Sequence, residues 1–264
     1  MPTNRCYHWV LLIASLAVIA GCGGKRPSPA NTGTSHGQSD PGRVRSADVS
    51  ILFVGNSHTS AHDLPALVGE MIRFRHPGKV VYSHVVGVGF LEDVARHPRC
   101  REEIESRPWK YVVLQAQKES RSGRFRYSQE EGIDIARLGK ARGAGVTFFA
   151  EWGLRDVPGH GRRIEMIYDE MATAAGARVA PVGRAWDLAL AARPDLPLYA
   201  PDGNHQSALG AFLTASVLFG QLTGESPAAL STFRYEGVGE ADRKSLVDAA
   251  VTALAQKGGG MDAN

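Results

Sequence analysis

Two short stretches hold residue types at spacings that could do chemistry. In the first, an apolar run over 49–54 stops at Gly55-Asn56-Ser57, and a helical pattern resumes a few residues on. Strand, tight turn and helix hold a hydroxyl out at the C-terminal edge of a parallel sheet, where the free N–H groups of the helix start also point. Gly55 permits the sharp turn. A serine in this place can also simply cap a helix, and the stretch by itself leaves that role open. In the second, Asp202-Gly-Asn-His205 follows Pro201 and precedes a long helical pattern. Three residues apart across a turn, a carboxylate can reach the imidazole and fix its tautomer. The other ring nitrogen then faces outward as a base. Helix capping by Asp202 or Asn204, with His205 exposed, is the competing role. A presented hydroxyl and an oriented imidazole together would carry out nucleophilic acyl transfer.

Such groups need a sheet edge to meet over. The chain has 264 residues, 43% hydrophobic and 22% charged, an ordinary globular composition. Strands are expected at 49–54, 79–86, 111–115, 146–150 and 178–182, mostly short and apolar throughout, the pattern of parallel strands covered on both faces. Helical patterns lie between and after them. One starts at Asp63 as N-cap with Pro65 in its first turn, and others cover 90–105, 130–142, 162–175, 186–192, 207–222 and 241–255. Alternating strands and helices predict a doubly wound α/β fold, a three-layer α/β/α sandwich with five parallel strands, over 48–257 as one domain. No internal repeat is visible.

The N-terminus reads as an export leader. Arg5 is followed by an apolar run of eleven residues, 10–20, broken only by Ser15 and too short to span a bilayer. Ile19-Ala20-Gly21-Cys22 resembles a bacterial lipobox, which implies cleavage before Cys22 and acylation of that residue. The predicted mature protein is lipid-anchored in the cell envelope. Gly23 after the cysteine favours the outer membrane, with the domain on its periplasmic face. Residues 22–47 are rich in Gly, Pro, Ser, Thr and Asn and read as a flexible tether, and 258–264 as a disordered tail. Within the tether, Gly33-Thr34-Ser35-His36-Gly37 matches a nucleophile elbow but lacks the strand before it and the helix after it. Cys100 is the remaining thiol of the body and is expected to be a small core residue. A formal net charge of +3 with scattered arginines gives no nucleic-acid footprint.

Gly55-Asn56-Ser57-His58-Thr59 near the start of the body and Asp202-x-x-His205 near its end resemble the first and last blocks of the SGNH/GDSL hydrolases, in that family's order. The resemblance implies a flavodoxin-like sheet and metal-free, cofactor-free hydrolysis of acyl or acetyl esters. Ser57 would be the nucleophile, His205 the general base and then acid, and Asp202 its orienting partner. The oxyanion hole would use the Ser57 N–H and the N–H of Gly87, with Gly89 the second choice. The family's third donor, an Asn amide, has no counterpart in Gln115-Ala116-Gln117. The resemblance is to a subgroup with Gln-x-Gln there, so Gln117, or else Gln115, would supply the amide. Both glutamines could instead be polar groups at a strand end.

Other candidates are weaker. His58 and His62 lie four apart beside Asp63, but no glutamate sits between them and no third ligand is evident, so no metal site is assigned. Glu151 and Trp152 end the fourth strand and either line the cleft or pack. Arg121, Arg124 and Arg126 read as a solvated face. The expected activity is an esterase, with glycan O-deacetylation as one form. A ligand-binding protein on the same scaffold is the alternative, supported by the missing Asn. Phosphate binding at the helix start ranks last, because no Gly-rich phosphate loop is present.

Overall fold

The computed structural model describes residues 38–120, 122–157 and 159–258. Its five strands are β1 (Val49–Gly55), β2 (Val81–Gly87), β3 (Tyr111–Leu114), β4 (Gly145–Phe149) and β5 (Arg178–Ala180). They pair in the order β2-β1-β3-β4-β5, parallel throughout. Every residue of β1 is buried, Ser50 included, as its otherwise apolar sequence requires. Ile51 and Phe53 face one layer of the core, and Leu52 and Val54 face the other.

The described helices are α1 (Pro41–Ser46), α2 (Ser57–Ser60), α3 (Leu64–Arg75), α4 (Pro98–Ser106), α5 (Glu130–Ala141), α6 (His160–Ala175), α7 (Val182–Ala192), α8 (Ala208–Thr223) and α9 (Glu240–Gly258). Side chains of α3, α7, α8 and α9 fill one face of the sheet, and those of α4, α5 and α6 fill the other. The three-layer α/β/α sandwich expected from the strand and helix spacing is therefore present. α8 is buried along almost its whole length and is capped by Ser207, whose Oγ accepts from the N–H groups of Leu209 and Gly210. Among the described residues no helix is long and apolar enough to cross a membrane. The chain leaves β1 toward β2 on one side and returns past it to β3 on the other. The crevice beyond the carboxyl ends of β1 and β3 is thus the topological switch point, where such sheets bind ligands.

The structure differs from the sequence reading in places with clear physical reasons. The folded body starts before residue 48. Asp40 caps α1 by accepting from Gly42 and Arg43, Val44 is buried, and the Ser39 N–H donates to the Glu103 carboxylate at 2.8 Å. The stretch 38–47 is thus not tether, and Gly258 belongs to α9 rather than to the tail. The leader, Cys22, the decoy motif and residues 259–264 lie outside the described residues. The pattern at 90–105 splits into a 3-10 turn, Leu91–Arg96, and α4, because Pro98 cannot continue a preceding helix. Asp63 makes no side-chain cap bond. It and His62 both have positive φ, 48° and 57°, an uncommon pair of non-glycine residues. α7 begins four residues earlier than expected and β5 is correspondingly short.

Candidate active site

β1 ends at Gly55, and the chain turns directly into α2. Asn56 caps that short helix, its Oδ1 accepting from the His58 N–H at 3.1 Å. Ser57 occupies the first helical position, where its N–H has no acceptor within the helix. On the other side of the cleft, Asp202 Oδ1 accepts from the N–H groups of Asn204 (3.0 Å) and His205 (2.9 Å). Its Oδ2 lies 2.5 Å from His205 Nδ1, and His205 Nε2 lies 2.8 Å from Ser57 Oγ. Ser57, His205 and Asp202, separated by 148 positions in sequence at their widest hydrogen bond, thus form one continuous chain at the switch point. The bond from His205 Nδ1 and the two backbone N–H groups hold the Asp202 carboxyl well below the usual carboxylate range. An ionised Asp202 demands a donor, so Nδ1 carries the proton and Nε2 offers its lone pair to the Ser57 hydroxyl.

The Asp202–His205 loop is held from several directions. Gln206 Nε2 donates to the carbonyls of Ala61 (3.0 Å) and His58 (3.4 Å), and His62 Nε2 donates to the Gln206 carbonyl at 3.1 Å. Trp152 Nε1 donates to the Asn204 carbonyl at 2.8 Å. Trp152 is itself buried, stacked on Trp186 at 4.2 Å and on His58 at 4.8 Å, and His58 meets the His205 ring edge-on at 5.3 Å. Burial, and then the positive charge His205 can carry, push the His58 pKa down to about 4. His58 is therefore a neutral ring at neutral pH and does not repel an imidazolium at His205. The roles of Gln206, His62 and His58 were missed in the sequence, because nothing local signals a bond across the cleft. Among the described residues no three His, Cys, Asp or Glu side chains are grouped to hold a metal.

The expected oxyanion groups fall differently. Gly87 is the last residue of β2, opposite Gly55, and not part of the following loop. The Val88 N–H donates to the Gly55 carbonyl, so by the alternation of a parallel ladder the Gly87 N–H faces the open edge of the sheet, away from β1. Gly89, by contrast, lies against the turn and accepts from Asn56 Nδ2 at 3.3 Å. Gln117 Nε2 donates to the carbonyls of Ser128 (3.1 Å) and Lys118 (3.3 Å), which leaves that amide no hydrogen for an oxyanion in this arrangement. Gln115 is fully buried, and its Nε2 donates to the buried Glu151.

Glu151 is buried and does not line the cleft. It accepts from Gln115 Nε2 and, at 3.4 Å, from the Tyr168 hydroxyl. Burial pushes its carboxyl up from 4.5 to about 7, opposed by hydrogen bonds from Gln115, the Ala116 N–H and Tyr168. An acid with a raised folded pKa binds its proton more tightly when folded, so its contribution favours folding at low pH and is lost as pH rises from 4.5 through 7. Glu151→Gln removes that dependence. Its stability relative to the wild type is expected to rise between about pH 5 and about pH 8, by on the order of 3 kcal/mol at most. Denaturant titrations at both pH values check this, and a pH-independent difference contradicts it. Cys100 is fully buried, and burial pushes its thiol up to about 12, so it is an inert core residue. Arg126 pairs with Glu170 at 3.2 Å at the protein surface.

No protein-family model and no curated protein matches the chain. Solved structures do. A DUF4886 family protein from Bacteroides uniformis superposes with a TM-score of 0.58 at 14% identity, over 78% of this chain and 95% of that one. A protein proposed to be an SGNH hydrolase, from Slackia heliotrinireducens, superposes with a TM-score of 0.54 at 24% identity, over 65% of this chain and 97% of that one. The chain has the SGNH-hydrolase fold. An acetyl xylan esterase from Geobacillus stearothermophilus also superposes, with a TM-score of 0.54 at 12% identity, over 68% of this chain and 96% of that one. In this SGNH fold the Ser57 turn follows β1, and the Asp202–His205 loop precedes α8.

Proposed function

We propose that the protein is an SGNH-type serine esterase. The observation that carries this reading is the unbroken chain from Ser57 Oγ through both nitrogens of His205 to Asp202. His205 Nε2 removes the Ser57 proton as Oγ attacks the ester carbonyl, then returns it to the leaving alcohol. Water resolves the acyl-enzyme by the same route reversed. The Ser57 and Gly89 N–H groups are assigned to the oxyanion. With no third donor from Gln117, turnover is expected to be modest, since one such donor is typically worth about 10²–10³ in kcat.

For the substrate, a cavity of about 420 Å³ opens beside Asp202, lined by Leu154, Arg155, Asp156, Val157, Gly203 and Asn204. Charged side chains beside Asp202 suit a hydroxyl-rich group such as a sugar better than a lipid chain. The acetyl xylan esterase on the same fold agrees with O-deacetylation of a carbohydrate. A fluorophosphonate probe tests the reading. Labelling that maps to Ser57 is expected. A well-folded protein that neither labels nor cleaves any ester would instead be a ligand-binding protein on this scaffold.

We propose that this activity lies in the cell envelope, on an acylated Cys22, a reading supported by the resemblance of Ile19-Ala20-Gly21-Cys22 to a lipobox. Cys22→Ala is expected to abolish palmitate incorporation and to release the protein from the membrane fraction. Unchanged labelling and fractionation would contradict the anchor.

A further inference from the structure

The sequence offers Gln115 and Gln117 for one job, yet the structure uses the amide of neither as an oxyanion donor. Gln115 is fully buried at the end of β3, and both ends of its side chain are engaged. Its Oε1 accepts from the Asn56 N–H at 3.1 Å and from the Thr59 hydroxyl at 2.7 Å. These two residues bracket Ser57. Its Nε2 donates to Glu151 at the end of β4.

The turn is built around that oxygen. A Cβ at Gly55 would lie 2.2 Å from Thr59 Oγ1 and 2.6 Å from Gln115 Oε1, so glycine at 55 is what lets the two polar groups close over the strand end. Turning the amide over would set NH₂ against the Asn56 N–H and the carbonyl against Glu151, which loses both contacts. A carboxylate oxygen at 151 therefore selects the orientation, and the Asn56 N–H, which can only donate, enforces it also when Glu151 is protonated. Glu151 is fixed in turn by the Tyr168 hydroxyl, which also accepts from the Gln117 N–H at 2.9 Å. The ends of β1, β3 and β4 are thus joined by one buried polar network.

We infer that Gln115 is a positioning residue: its side-chain oxygen sets the Asn56–Thr59 turn that presents Ser57, and Glu151 holds its amide in the orientation that allows this. The inference rests on the reading of Ser57 as nucleophile. Gln115 touches no reacting atom and acts only through the placement of Ser57 Oγ relative to His205. Displacements well under an ångström matter for such attack.

Gln115→Met removes both polar ends at nearly constant size. In the full-length protein, kcat for p-nitrophenyl acetate is expected to fall about 10²-fold while KM changes less than about threefold. Should that variant fail to fold, Thr59→Val removes one of the two bonds to Oε1 and is expected to lower kcat about fivefold. Glu151→Leu is expected to match Gln115→Met, and the double variant to be no slower than either single one, because both act through one path. Glu151→Gln, which keeps an oxygen toward Gln115 Nε2, is expected to recover most of the loss seen with leucine. A folded Gln115→Met or Thr59→Val protein with wild-type kcat, even with a lowered Tm, overturns the inference. If Ser57→Ala is as active as the wild type, the esterase reading fails and takes this inference with it. A wild type that acts through Ser57, with Gln115→Met unaffected, removes this inference alone.

Discussion

Replacing Ser57 with alanine is expected to lower kcat for ester hydrolysis by on the order of 10³–10⁶-fold, with the fold intact. The size follows from the geometry. Ser57 Oγ is the oxygen hydrogen-bonded to His205 Nε2, and it stands at the mouth of the switch-point crevice. Alanine leaves the oxyanion donors and the base in place but removes the atom that forms the acyl-enzyme. What survives is water attack assisted by those remaining groups and by binding. Because Ser57 does not cap α2, that role belonging to Asn56, the loss of its hydroxyl should leave the stability nearly unchanged. Steady-state kinetics with p-nitrophenyl acetate, alongside a denaturant titration, separate the two effects. Wild-type turnover by Ser57→Ala would exclude the serine.

Asp202→Asn is expected to cost about 10²–10⁴ in kcat. The ionised Asp202 accepts from His205 Nδ1, which keeps the Nε2 lone pair toward Ser57. An asparagine amide donates instead and favours the opposite tautomer, which turns an N–H on the serine and cannot act as a base. The lower part of the range reflects exposure. The Asp202 side chain is half exposed, so water can partly replace it. The carboxyl is held far below the ordinary range, so its stabilising effect is complete above that range and is lost as pH falls from there through the lowered value. The tautomer lock therefore persists through mildly acidic solution, and Asp202→Asn should remain impaired across that range. Full recovery in mild acid would contradict the assigned role.

What was readable in the sequence was what short-range patterning controls. The apolar run of β1, the break at Gly55, and the carboxylate and imidazole three residues apart each follow from local chemistry. The expected fold followed from five short apolar segments alternating with helical ones. What escaped was set by register or by long-range contacts. Gly87 is held in β2 opposite Gly55, while Gly89 lies past the strand end against the Ser57 turn, and only the point at which β2 stops separates the two. Residues 38–47 have the composition of a linker, yet Asp40 finds two N–H groups and Val44 a place in the core. Gln115 and Gln117 looked like donors aimed at substrate. Their partners, Glu151, Lys118 and Ser128, are brought to them by the sheet and by the 118–128 loop. Gln206 likewise gave no local sign that it ties the His205 loop to the Ser57 turn.

The central claim is that Ser57 carries the acyl group during turnover. Rapid acid quenching of the wild-type protein mixed with p-nitrophenyl acetate, followed by peptide mass mapping, observes that species directly. One acetyl group on the peptide containing Ser57, absent from His205→Ala, is the predicted result. Ester turnover with that peptide unmodified, or with the acetyl group fixed on another side chain, would contradict the mechanism.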